Sequence, residues 1–283
     1  MAIIIDGKSA AARKMQELKL RADDLEQHGA VPSLRVIQVG DDPASSAYIR
    51  QKEKACRELG IRFSHEHISA DDEERAIKEV TLLIRYEALF DDYHCTVLQL
   101  PLPEYLKDAE KHIYESCDVD GLSTYNAGRL FQGLRDGFIP CTAKGIVELL
   151  KSYGIPLSGK HAVIVGRSNI VGKPLAMLLL QEDCTVTICH SKTRFLNTYT
   201  RQADILVSAA GKPGLITGDM VKRGAAVIDV GITRGDDGKL HGDVDFESVE
   251  PVAGWLTPVP GGVGPMTVAM LMENVIIAEE RRL

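Results

Sequence analysis

The sequence predicts an α/β protein built from two α/β domains, the second a Rossmann-like nucleotide-binding domain, with a cleft between them. Three observations carry this expectation. Short apolar, β-branched runs alternate along the chain with segments of helical period. One of those runs, at 162–165, ends in a turn of small residues that opens a helix. The length of 283 residues exceeds what one hydrophobic core usually organises, so two domains follow.

Residues 34–39, 95–100, 162–165, 185–188, 205–209 and 226–230 read as buried parallel strands, because each is a nearly continuous apolar run bounded by Gly, Pro or Asp. Helical periodicity marks 44–59, 73–89, 143–153 and 173–180 between them. The character of the chain changes around Pro140-Cys141-Thr142, which sets a first domain at 1–141 and a nucleotide-binding domain at 142–265. Beyond the Pro/Gly-rich stretch 257–265, residues 266–283 predict a long helix that packs back on the first domain.

Composition narrows the function. With 45% hydrophobic and 26% charged residues the chain is that of a globular protein, and a net charge of −7 argues against a nucleic-acid partner, whose phosphates call for clustered Lys and Arg. No stretch approaches the roughly 20 apolar residues of a membrane span, so no membrane partner is expected either. The apolar start at 3–5 is too short for a secretory signal, which gives a cytoplasmic expectation. Cys56, Cys95, Cys117, Cys141, Cys184 and Cys189 form no C-x-x-C pair and read as buried thiols. His65 and His67 face one way on a possible strand without further ligands, so no metal site is expected.

The turn after 162–165 runs Gly166-Arg167-Ser168-Asn169-Ile170-Val171-Gly172-Lys173-Pro174. Small residues there let backbone amides and a helix N-terminus approach a pyrophosphate. In G-x-G-x-x-G register the positions are Gly166, Ser168 and Val171, and the last glycine comes one residue late at Gly172. NAD sites place a carboxylate at the end of the second strand; here that strand ends Ile188-Cys189-His190-Ser191-Lys192. Ser191 and Lys192, with Arg167, suit a 2′-phosphate and hence NADP. The alternative is that Lys192 and Arg194 are solvated surface charges.

The first domain offers four further signals. Tyr48 and Lys52 stand four apart and share a helix face with Ala44, Ala55 and Leu59, an unusual place for an ammonium. The alternative for Lys52 is that its stem follows the apolar stripe and its head reaches water. Gln99 is the lone polar residue in Val97-Leu98-Gln99-Leu100-Pro101, near a strand end, where it is either a ligand-facing group or a core amide satisfied by backbone. Asp118-Val119-Asp120-Gly121 is a carboxylate-rich turn, and Pro258 to Pro265 a loop of rigid and permissive residues.

Taken with Gln99-Leu100-Pro101-Leu102-Pro103, Pro140-Cys141-Thr142 and Ile228-Asp229-Val230-Gly231, in this order and spacing, these motifs make the sequence resemble the bifunctional methylenetetrahydrofolate dehydrogenase/cyclohydrolases. The resemblance implies oxidation of 5,10-methylenetetrahydrofolate with NADP and hydrolysis of the methenyl product to 10-formyltetrahydrofolate. Tetrahydrofolate derivatives are then the substrates. A dehydrogenase with weak or absent hydrolysis is the alternative. The resemblance makes Lys52 the central catalytic group, Gln99 its tuning neighbour, Tyr48 a ring beside the folate and Asp120 the anchor of the pterin. Leu100, Pro258, Gly261 and Gly262 line the folate, while Gly166, Arg167, Ser168, Ser191 and Ile232 carry the nucleotide. It also implies a homodimer paired through the nucleotide-domain sheet. Departures occur at Ser123-Thr124-Tyr125, where many members have a His-Pro pair, at Ala143 in place of a Pro, and at Cys117 in place of a Lys.

A short-chain dehydrogenase also carries a Tyr-x-x-x-Lys pair, but after its nucleotide turn. Here Tyr48 and Lys52 precede Gly166. A non-catalytic nucleotide-binding protein shares the fold, and Lys52, Gln99 and Asp120 argue against it.

Overall fold

The structure, a computed structural model, describes residues 1–87, 95–134, 136–235 and 238–283. Its chain divides into two compact units, residues 13–141 with 268–283, and residues 1–12 with 142–267. The division departs from the sequence expectation at the start of the chain. Residues 1–12 fall in the nucleotide-type unit because β1 (Ile3–Ile4) pairs in parallel with Trp255–Leu256, and Ile5, fully buried, donates its amide to the Leu256 carbonyl.

The chain continues into α1 (Gly7–Gln27), which the sequence reading misses. Within the unit of 13–141 and 268–283 its apolar positions Leu18, Ala22 and Leu25 are buried at helical spacing, hidden in sequence by the charges between them. Lys14 pairs there with Glu273 at 2.6 Å, and Arg21 with Glu280 at 2.7 Å.

That unit is organised by β2 (Ser33–Val39), buried at all seven positions. α2 (Pro43–Leu59) follows, started by the Asp42 side chain accepting from the Ser45 amide and ended by left-handed Gly60. β3 (Arg62–Ile68) and β4 (Cys95–Leu98) pair in parallel with β2 on opposite sides, giving the order β3-β2-β4. β3 is an edge strand of mixed exposure, so it lacks the continuous apolar run that marks its neighbours. α3 (Glu73–Leu82) passes into a π-helical turn at Leu83–Glu87, and positions 88–89 of the expected helix lie outside the described residues. β4 is shorter than the expected 95–100, although the Gln99 amide still donates to the Ile37 carbonyl. A parallel bridge joins Thr96 to Asp118, and α4 (Thr124–Phe131) follows with Ser123 as its N-cap.

After α5 (Cys141–Ser152) the nucleotide-type unit runs through β5 (His161–Val165), α6 (Gly172–Gln181), β6 (Thr185–Cys189), α7 (Leu196–Thr200), β7 (Ile205–Ser208) and β8 (Ala226–Asp229). A small hairpin, β9 (Thr233–Arg234) with β10 (Leu240–His241), and α8 (Phe246–Val249) precede β11 (Trp255–Leu256) and α9 (Val263–Glu280). The sheet has six strands in the order β1-β11-β8-β7-β5-β6, parallel throughout. Its central strands β7 and β8 are buried along their whole length, as crossovers on both faces require. Among the described residues no helix is long and apolar enough to cross a membrane.

Both sheets reverse their order of growth beside a central strand. In the first unit the reversal lies between β2 and β4; in the second it lies between β5 and β7. Open parallel sheets bind ligands outside the carboxyl ends of such a pair.

Candidate active site

Gln99 sits one residue past the end of β4, at the first of these reversals. Its amide nitrogen donates to the Leu100 carbonyl at 2.8 Å, which turns its oxygen toward α2. Lys52 donates to that oxygen at 2.9 Å. Gln99 is therefore satisfied by backbone on one side and by Lys52 on the other. The helix is held over the strand end by Ser45, whose hydroxyl donates to the Leu100 carbonyl at 3.2 Å. Tyr48, one turn before Lys52, stays 37% exposed, and burial of the rest of its ring raises the phenol above its ordinary range.

Burial pulls the Lys52 ammonium below the usual lysine range, opposed chiefly by the charge of Asp120. Gln99 supplies only an oxygen, which accepts from the amine in either protonation state. The base of the same helix face is closed by Cys56, fully buried against the Met272 sulfur at 3.6 Å, its thiol pushed up to about 12 by burial. Burial thus disfavours the charge on Lys52 at the point where the helix face meets the strand end.

The two carboxylates of the Asp118-Val119-Asp120 turn divide the work. Asp118 is fully buried and accepts from the Ser123 amide at 2.7 Å, the Leu122 amide at 3.1 Å and the Asn126 side chain at 2.8 Å. Burial outweighs those donors and pushes its carboxyl up to about 6. Asp118 is a structural clasp, and Ser123, whose amide it accepts, caps α4. Asp120 is only partly buried and is the carboxylate whose charge reaches Lys52.

In the second unit Gly166 follows β5 at φ 140°, where a side chain would collide with the Ala209 carbonyl after β7. A side chain on Gly172 would collide with the Gly166 carbonyl, so the turn closes on itself only with glycine at both positions. This explains the late glycine of the motif. Ser168 accepts the Val171 amide at 3.1 Å and the Gly172 amide at 3.5 Å, which leaves its hydroxyl proton to be donated outward. Arg167 and Ser168 are exposed at the mouth of the turn.

Past β6 the turn is tied by its own side chains. Thr193 accepts the His190 amide at 2.9 Å and His190 accepts the Lys192 amide at 3.2 Å, while Ser191 and Lys192 are exposed. Donors and cations without a carboxylate at this strand end fit a phosphorylated ribose. Ile232, 44% exposed, follows β8. Pro258, Gly261 and Gly262 belong to this same unit, in a loop packed against the backbone of Gly7. Lys52, Gln99, Leu100 and Asp120 gather in the other.

Sequence reasoning missed Asp243, which has no apolar run to betray it, and gave Asp229 and Asp118 no role beyond a motif. The recurrence of Asp after Gly in Gly242-Asp243 was the one available signal.

Residues 5–120 match the catalytic domain described as tetrahydrofolate dehydrogenase/cyclohydrolase, and residues 140–283 the NAD(P)-binding domain of the same description. The chain is 48% identical over 282 residues to the bifunctional protein FolD of Campylobacter concisus strain 13826, covering 99% of this chain and 98% of that one. Among solved structures it is similar to the bifunctional FolD methylenetetrahydrofolate dehydrogenase/cyclohydrolase of Campylobacter jejuni, with a TM-score of 0.94, 46% identity and full coverage of both chains. It is also similar to the methylenetetrahydrofolate dehydrogenase-cyclohydrolase of Trypanosoma brucei complexed with NADP cofactor and inhibitor, with a TM-score of 0.91, 39% identity and coverage of 99% and 98%. With both domain descriptions met along one chain, in the order and at the positions where the lysine-glutamine pair and the glycine turn lie, this protein belongs to the tetrahydrofolate dehydrogenase/cyclohydrolase family.

Proposed function

We propose that this protein oxidises 5,10-methylenetetrahydrofolate to the methenyl form with NADP and hydrolyses that product to 10-formyltetrahydrofolate. The observation that carries the reading is the Lys52–Gln99 pair at the carboxyl end of β4, with Asp120 as the carboxylate whose charge acts on Lys52. We assign folate chemistry to the unit of 13–141 and 268–283, and the nucleotide to the unit of 1–12 and 142–267.

NADP, when bound, accepts a hydride from the methylene carbon, and the chain's contribution to that step is alignment. Gly166, Ser168 and the N-terminus of α6 are suited to hold its phosphates, and Arg167 and Ser191 its 2′-phosphate. Tyr48 and Leu100 line the folate, Asp120 holds the pterin, and Ile232 lies against the nucleotide in the other unit. Hydrolysis asks more of the protein. Water adds to the cationic methenyl carbon and loses a proton; the ring carbon-nitrogen bond then opens as its nitrogen gains one, and the remaining hydroxyl proton passes to solvent as the formyl carbonyl forms. Lys52, whose charge burial and a cationic substrate both disfavour, takes the first proton and returns it to the nitrogen.

A spectrophotometric assay with methylenetetrahydrofolate and NADP tests the reading. NADPH must form, and the methenyl absorbance must rise and then decay faster than the spontaneous reaction. Formation of no NADPH ends the proposal.

Two finer assignments go with it. The protein is a homodimer joined through the nucleotide-unit sheet, whose β6 edge carries the exposed Ile188 and has no neighbouring strand among the described residues. A monomer mass in sedimentation at micromolar concentration overturns this. It resides in the cytoplasm, where its six buried free thiols match a reducing compartment; cell fractionation checks the location.

A further inference from the structure

Two carboxylates lie buried together behind the nucleotide turn. Asp243 is fully buried and gathers one loop onto itself: its Oδ2 accepts from the Ala210 amide at 2.6 Å, the Gly211 amide at 3.2 Å and the Ser208 hydroxyl at 3.0 Å, and its Oδ1 from the Lys212 amide at 2.7 Å. Asp229, 3% exposed at the end of β8, accepts from the amides of Gly231 at 3.0 Å, Asp243 at 2.9 Å and Val244 at 3.0 Å. Its own amide donates to the Thr257 hydroxyl oxygen at 2.7 Å. Side chains on Gly231 and Gly242 would collide with the Asp243 and Asp229 carboxylates respectively, so the surrounding backbone is shaped to the pair.

These bonds form one path. It starts at Thr257, at the head of the Pro258 to Gly262 loop, passes through Asp229 to Asp243, and reaches the 210–212 loop. That loop follows directly from Ala209, whose carbonyl abuts Gly166. Burying a carboxylate is costly unless its hydrogen bonds fix something that needs fixing. Burial pushes the Asp229 carboxyl up to about 6 despite its amide donors, with the charge of Asp243 adding to the rise.

We propose that Asp243 and Asp229 are positioning residues, a buried relay that sets the 209–212 loop against the nucleotide turn and links its placement to Thr257. The inference rests on the assignment of NADP to this unit. It touches neither reacting carbon nor proton; its effect is on how tightly the nucleotide is held.

The test uses NADP alone, titrated calorimetrically into the full-length protein, with amide hydrogen exchange read at 210–212. Asp243→Asn presents an amide NH2 to converging N–H donors and should weaken NADP by about tenfold or more while speeding exchange in that loop. Thr257→Val cuts the relay at its far end and should weaken NADP by about threefold or more. Asp204→Asn is the control: Asp204 accepts from the His161 amide at 3.0 Å and from Lys222 at 2.6 Å at the opposite ends of β5 and β7, so its loss should lower thermal stability and leave NADP affinity within about twofold. Less than threefold weakening in Thr257→Val overturns the relay, as does equal weakening in Asp204→Asn. Should Asp243→Asn fail to fold, Thr257→Val decides. A parent protein that binds no NADP overturns the functional assignment instead, which separates the two failures.

Discussion

The two units place their working residues at equivalent points, the carboxyl ends of the strands where a parallel sheet reverses direction, yet they equip those points with different materials. Beside β4 the equipment is side chains: an amine, an amide and a carboxylate in Lys52, Gln99 and Asp120. Beside β5 it is mainly backbone, with Gly166 and Gly172 packed to contact, Arg167 and Ser168 exposed at the mouth, and the carboxylates Asp229 and Asp243 withdrawn into the interior. The difference follows from the tasks. On the proposed assignment, moving a proton requires a group whose charge changes near neutrality, whereas holding phosphates requires amides at fixed distance, a few exposed donors and the removal of negative charge from the mouth.

Lys52→Met puts this contrast under the greatest strain. Methenyltetrahydrofolate hydrolysis, corrected for the spontaneous rate, should fall at least roughly 100-fold while folate binding and part of the dehydrogenase activity persist. Undiminished hydrolysis would remove the distinction between an ionising side and a passive one.

Next in size is the clasp at Asp118. Its folded carboxyl, raised to about 6, holds a proton more tightly than in the unfolded chain. Its contribution to stability is therefore complete below about pH 4 and is lost as the pH rises through about 6. Asp118→Asn abolishes that dependence, so denaturant titrations should show a parent-to-variant difference that changes by on the order of 2 kcal/mol between pH 4 and pH 7. A constant difference would mean that Asp118 ionises normally in the fold.

On the nucleotide side, Arg167→Ala should raise the KM for NADP roughly tenfold and the KM for NAD far less, as befits one lost charge-assisted contact. Equal effects on both nucleotides would turn Arg167 back into a solvated surface charge. The smallest expected change is in Gln99→Ala. Gln99 accepts from Lys52, and loss of that acceptor disfavours the ammonium, so the pH limb of hydrolysis that reports Lys52 should move to lower pH by under about one unit. A lowered rate with an unmoved limb would make Gln99 a packing residue.

Legibility in the sequence tracks continuity along the chain. Five of the six expected strands are buried and announce themselves as apolar runs; the sixth, β6, proves to be a sheet edge exposed or half-buried up to Cys189, and Gln99 stands out because it follows such a run. Lys52 is visible because α2 is regular enough for a helix face to be drawn from it. α1 is obscured: its buried positions 18, 22 and 25 are separated by Lys, Arg and Asp, and the ion pairs that seat the helix reach Glu273 and Glu280 at the far end of the chain. Asp243 is illegible for a related reason, since its donors lie at 208–212 and only the folded loops bring them together. Pairings that span the sequence leave no local period, and β1 with its partner at 255–256 is the same case.

The membership of residues 268–283 constrains how this protein is inherited. Asn274 donates its side-chain amide to the Val119 carbonyl at 2.8 Å and to the Ile139 carbonyl at 3.1 Å, so the turn bearing Asp120 is held from the C-terminus. A gene truncated or split near codon 141 would yield one product without this support and another without β1. Each half would therefore lack a piece of its own unit.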